Sequence, residues 1–211
     1  MLFQLLFTDP SRFIVWVAAI IYAITVHEFM HAYSGVAQGD PTPKNAGRLS
    51  LNPLAHIDPM GLLFLLFVGF GWGKPVPFNP YFLRNARWGP FWVAFAGPLS
   101  NLVSAFLFGG ILKISVTLGI SPDNLLVLFL VALIHLNIIL FLFNLLPIPP
   151  LDGSKIWYGL FPRLLGRYQP ILERYGQWIL FGIILIDLLS PVSIFGALFD
   201  GISEFVFKWF T

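Results

Sequence analysis

His27-Glu28-Phe29-Met30-His31 sets two imidazoles four positions apart, with a carboxylate beside the first. On a helix, positions 27 and 31 stand one above the other on the same face. Both rings can then reach one metal ion, and Glu28 lies where it can take a proton from an attacking water. Zinc used for catalysis takes three protein ligands and keeps one position open. The longer motif that supplies its own third His would place it at 37, where this chain has Ala37. The remaining candidates are Asp40, His56, Asp58, His135, Asp152 and Asp187. Asp152 fits best. It follows Asn144-Leu-Leu-Pro-Ile-Pro-Pro-Leu, a run whose prolines stop a helix and leave a non-helical strip able to bend back toward a cavity. Two neutral His, one Asp and an ionised Glu28 would balance a dication, an assembly that a low-dielectric setting can hold.

The elements that carry these residues have to be membrane helices. The chain has 211 residues and is 57% hydrophobic, with 23 Phe, 12 Lys+Arg and 10 Asp+Glu. That is 10% charged against about 25% in soluble domains, and the mean hydropathy is +0.82. Too little charge is present to cover a soluble surface. The composition excludes a soluble globule, a disordered chain and a nucleic-acid binder, and it implies an integral membrane protein in contact with a lipid bilayer. With no cysteine, disulfides, thiolate-held zinc and thiol nucleophiles are excluded. The first eleven residues lack a basic start and a small-residue cleavage site, so the first apolar run is expected to be a retained helix.

Residues 13–26 lack Asp, Glu, Lys, Arg and His, and their helix pattern continues to about Ala37. Residues 88–112 are equally free of them, 124–146 contain only His135, and 175–199 contain only Asp187. Each is read as a spanning helix, which needs about 20 apolar residues. The expected fold is an all-α polytopic membrane protein of about four to six transmembrane helices. Residues 1–211 are read as a single membrane-embedded domain, with a core over 12–165 and C-terminal helices over 171–211. Residues 59–73 form a short, Gly-interrupted apolar run that leads into Lys74-Pro-Val-Pro-Phe-Asn-Pro80, a tail that cannot be helical. A re-entrant hairpin or loop over about 59–80 fits better than a span, and it is a candidate cavity wall. With 59–73 re-entrant, the loops 38–87 and 147–174 share one side and hold nine of the twelve Lys+Arg. That side is assigned to the cytoplasm, with the multi-pass protein in the cell membrane and its reactive residues toward the cytoplasmic face. A short interfacial helix is expected near 153–161.

At this point the sequence resembles the site-2 protease family of intramembrane zinc metalloproteases, peptidase family M50. H-E-F-M-H is followed in order by Asn52-Pro-Leu-Ala-His-Ile-Asp-Pro59, Gly73-Lys-Pro-Val-Pro-Phe-Asn-Pro80, Ala96-Gly-Pro-Leu-Ser-Asn101 and N-L-L-P-I-P-P-L-D-G at 144–153. The likeness covers roughly residues 12–165, in a minimal form without PDZ or CBS domains. It implies one zinc per chain held by His27, His31 and Asp152, with Glu28 as general base. It also implies that Asn144 contacts the substrate or the developing oxyanion. The reaction implied is hydrolysis of peptide bonds in or near the transmembrane segments of single-pass membrane proteins. Asn101, Pro75 and Pro77 are expected to line a substrate cleft.

Several residues have plainer readings. His56 is expected as a hydrogen-bonded structural His in a loop, and His135 and Asn137 as satisfied polar groups within the third span. Lys74 and Arg84 are expected as interfacial anchors. Two rival functions are an ion or small-molecule transporter, which intramembrane Asp and His would suit, and a catalytically idle zinc-binding scaffold. The first predicts inverted repeats that the sequence lacks and leaves Glu28 unexplained; the second leaves an intact Glu28 without use. Oligomeric state and substrate identity are not legible.

Overall fold

A computed structural model describes residues 2–190 and, beyond them, 201, 204 and 208. Three helices are long and apolar enough to cross a membrane among these residues: α2 (Pro10–Ala37), α5 (Gly89–Thr117) and α6 (Leu125–Phe143). Short α1 (Leu2–Thr8) precedes them, and α3 (Thr42–Asn45) and α4 (Pro59–Val68) lie between α2 and α5. After α6 come α7 (Asp152–Leu160), α8 (Pro162–Leu165) and α9 (Gln169–Leu189). The protein is an all-α membrane protein. The expected fourth span falls partly on α9 and partly outside the described residues.

Local chemistry sets the helix starts. Asp9 accepts from the Arg12 N–H at 3.0 Å, with Pro10 in the first turn of α2. Asn124 does the same for Leu126 at 2.9 Å to open α6. The helix α5 outruns its charge-free stretch, continuing past Lys113 to Thr117. Away from the site the three long helices pack on one another through apolar side chains: Val15 and Ala19 on Ala132 and Leu133, and Ala105 and Leu112 on Val127, Leu130, Ile134 and Ile138. Because α5 runs back along α2, its start lies beside the end of α2, where the Arg84 N–H donates to the Gln38 carbonyl at 3.0 Å. The end of α6 returns to this same end of the bundle.

The segment after α3 enters and leaves at one place. Asp58 caps α4, accepting from the Gly61 N–H at 2.9 Å. Gly69, at φ 85°, reverses the chain. The return is extended, and Gly73 forms an antiparallel bridge with Ile57, while the Lys74 N–H donates to the His56 carbonyl at 2.7 Å. The sequence led to a hairpin or loop here; the descending half is a ten-residue helix, and the ascending half is a lone strand-like segment. Buried Arg48 fastens its exit by donating to the carbonyls of Ala55 and, at 3.0 Å, Pro75. Buried Asp40 accepts from the N–H groups of Thr42 at 2.9 Å and Asn79 at 2.6 Å. Burial by itself would raise the Asp40 carboxyl, but these hydrogen bonds more than offset it and hold the group below its ordinary range.

The two halves touch backbone to backbone. A methyl on Gly61 would strike the Trp72 carbonyl and sit 3.0 Å from the Trp72 ring. Gly61→Ala should therefore lower stability by about 1–3 kcal/mol through overpacking, read as a lower unfolding midpoint in detergent. An unchanged midpoint would show that the two halves do not close on each other.

Candidate metal centre

The site lies where the ends of α2, α5 and α6 gather, and α7 begins on it. His27 and His31 sit on the inward face of α2, 5% and 7% exposed, with Nε2 atoms 3.0 Å apart. The Pro-rich turn after α6 brings Asp152 to them as the first residue of α7. One oxygen, Oδ2, lies 3.1 Å from each Nε2. A carboxylate at a helix start is favoured by the helix dipole.

The hydrogen bonds behind the rings decide what the rings offer in front. His31 Nδ1 lies 2.7 Å from the Val93 carbonyl, which can only accept. His27 Nδ1 lies 2.6 Å from Asn101 Oδ1. Both rings therefore carry their proton on Nδ1, the tautomer assigned by this network, and both present an Nε2 lone pair inward. Two imidazole lone pairs and a carboxylate converge with no N–H or O–H of their own to share. Such a group calls for a cation, and its donor set is that of a catalytic zinc site with three protein ligands. Among the described residues these three are the one His/Asp/Glu group close enough to hold a metal ion.

Space for the rings comes from α5. A Cβ on Gly97 would lie 2.8 Å from His27 Cε1 and would strike the His31 ring. The next residue, Pro98, has no N–H to give to the carbonyl of Ala94. It interrupts the ladder in the turn where the Val93 carbonyl serves His31.

Glu28 is half-buried and turned toward the return segment, with Oε1 3.5 Å from where a Gly73 Cβ would be. That segment borders the site on two further sides. Phe70 packs on Phe143 at 5.8 Å between ring centroids, and Phe78 lies under the Lys155 ammonium at 5.1 Å. Asn144 ends α6, and its side-chain amide donates to the Leu140 carbonyl at 3.1 Å. Pro75 and Pro77 are exposed on the return segment. Asn101, expected on a cleft, is instead fully buried against His27. His56 is fully buried, and its Nε2 donates to the Ser50 carbonyl at 2.6 Å, away from His27, His31 and Asp152. His135 meets Trp16 edge to face at 5.9 Å. Asp40 and Asp58 cap local turns. A groove of about 670 Å³ runs along α2 and α5, lined mainly by apolar residues such as Val26, Met30, Phe95, Ala96 and Leu99, with Ser34, Gln38, Ser100 and Ser104 also on its wall and none of His27, Glu28, His31 or Asp152.

Fold and site together define an integral membrane metalloprotein whose metal residues are held at one end of a helix bundle. Comparison with known proteins narrows this. The profile of peptidase family M50 matches residues 108–187. YwhC of Bacillus subtilis (strain 168) is 39% identical over 181 residues, covering 84% of this chain and 81% of its own. Rip2 of Mycolicibacterium smegmatis is 33% identical over 187 residues, covering 85% and 68%. MJ0611 of Methanocaldococcus jannaschii is 41% identical over 64 residues, 30% of this chain and 31% of its own. All three carry names that describe them as zinc metalloproteases. No solved structure matches the chain significantly. The chain belongs to peptidase family M50, the site-2 protease family, and is a zinc metalloprotease. That membership decides against the transporter.

The rings are locked from behind, so the Gly97 contact has little room to relax. Gly97→Ala should leave the protein folded yet cut its zinc content well below that of wild type, measured by elemental analysis after purification. Full zinc occupancy in that variant would show that α5 does not set the ring positions.

Proposed function

We propose that the protein is an intramembrane endopeptidase that cuts membrane-anchored, single-pass proteins in or near their transmembrane segments. In this reading one zinc is held by His27, His31 and Asp152, in the cell membrane, with the site toward the cytoplasm. The observation that carries it is the convergence of two inward Nε2 lone pairs and one carboxylate on a single point, with Glu28 next to the first of them, in a chain whose three long helices are apolar enough to cross a membrane. Nine of the twelve cations in the loops 38–87 and 147–174 support the orientation.

Zinc bound there would act as a Lewis acid toward water and the scissile carbonyl. Glu28 accepts a proton from the attacking water and later passes it to the leaving amine. Asn144 has a second amide N–H beyond the one given to Leu140, and this N–H serves the developing oxyanion. A helical substrate has its carbonyls tied up and has to unwind before it can be cut. The return segment at 70–78 offers extended backbone next to Glu28, against which an unwound strand can pair edge to edge.

Glu28→Gln keeps the shape of the side chain and removes the base. It should retain about one zinc per chain and lose cleavage of single-pass membrane peptides by about 10²–10⁴-fold. Undiminished cleavage would remove Glu28 from the reaction. A wild-type protein that holds zinc and cuts none of a broad peptide panel would favour the idle scaffold.

A further inference from the structure

The two zinc-facing rings are oriented by different kinds of partner. His31 donates to a backbone carbonyl, which can only accept. His27 instead faces a side-chain amide, and an amide has two ends. With Oδ1 toward the ring, Asn101 accepts from Nδ1–H and leaves Nε2 free to bind metal. With Nδ2 toward the ring, it would donate to Nδ1 and move the ring proton to Nε2, where it would block the metal. Something has to hold the amide in the first orientation.

We infer that Asn137 is a positioning residue that fixes the direction of the Asn101 amide and, through it, the metal-binding tautomer of His27. The chain of bonds has one consistent direction. Asn137 Nδ2 donates to the Leu133 carbonyl at 2.7 Å. That turns Asn137 Oδ1 toward Asn101, whose Nδ2 donates to it at 2.8 Å. The same Nδ2 lies 3.4 Å from the Ala23 carbonyl, a second group that can only accept. Asn101 Oδ1 is thereby left facing His27 Nδ1 at 2.6 Å. A flip of either amide would set donor against donor or acceptor against acceptor where the side chains are closed off from bulk solvent. Asn101 and Asn137 are both 0% exposed, and an unpaired polar group there costs far more than at a surface. The relay joins all three long helices: Leu133 and Asn137 on α6, Asn101 on α5, His27 and Ala23 on α2. The sequence reading took Asn137 for a satisfied intramembrane amide; the bonds give it a task.

The inference rests on His27 being a zinc ligand, and the test separates the two. Full-length protein in detergent is titrated with zinc against a competing chelator, for wild type, Asn137→Leu, Asn101→Ala and the double variant. Asn101→Ala removes the amide through which Asn137 acts. Asn137→Leu should weaken zinc binding on the order of 10- to 100-fold, as changes behind a ligand do. Asn101→Ala should itself weaken binding, and adding Asn137→Leu to it should change affinity less than about threefold. Unchanged affinity in Asn137→Leu overturns the relay, as does equal weakening in both backgrounds, which would mark a packing role. If Asn137→Leu does not fold, Asn137→Ala replaces it, and failure of both to fold assigns the residue to packing. Wild-type protein that binds no zinc would strike the metal-site reading itself.

Discussion

Three electron-pair donors facing one point, with no proton among them, form the constraint on which the rest of this structure depends. Here they lie between apolar helices, and mutual repulsion of their lone pairs has to be met by a positive charge held in place. Neighbouring features then read as consequences. Both Nδ1 atoms are engaged, so both Nε2 atoms face inward. Gly97 gives up a side chain to admit the rings. Asp152 opens a helix, where the dipole favours its charge.

The same constraint explains the irregular backbone. Non-helical chain at membrane depth is tolerated where protein covers it or a cavity accepts it. The turn between α6 and α7 is such a place: it ends one apolar helix and sends Asp152 back beneath the bundle. The return of the re-entrant segment is another. Its backbone is tied beside Glu28 by the Ile57–Gly73 bridge and the Lys74–His56 bond, and just beyond by Arg48 at the Pro75 carbonyl. Both departures from helix are adjacent to the site.

Much of this was legible in the residues. Charge-free runs marked three helices to within a few positions, because in a bilayer charge is the strongest boundary signal. The short helix near 153–161 followed from the prolines that punctuate its loop, and the return of 59–80 from its glycines and prolines. His27 and His31 were paired by spacing alone. Asp152 was preferred among six acidic and His candidates by its proline context, and the structure brings it to the two rings. What stayed hidden depends on contacts between helices. Nothing local tells that Asn101 turns inward to His27 instead of lining a cleft, since a Gly-Pro-Leu-Ser-Asn run reads as a kink with a polar group on an unknown face. Nor does Asn137 differ in sequence from any isolated intramembrane amide. Gly97 looks like a helix breaker until the rings opposite are seen. The helical half of the re-entrant segment was masked by its four glycines, of which only Gly61 lies within the helix and Gly69 ends it.

If His27, His31 and Asp152 hold one zinc ion, zinc K-edge X-ray absorption on the purified protein, with wild type set against Asp152→Ala, reads the ligands themselves. Wild type should show two imidazole nitrogens and oxygen donors at about 2.0–2.2 Å, and the variant altered oxygen coordination or loss of the metal. A wild-type spectrum with one imidazole or with three, or an unchanged zinc environment after removal of the Asp152 carboxylate, would contradict that assignment.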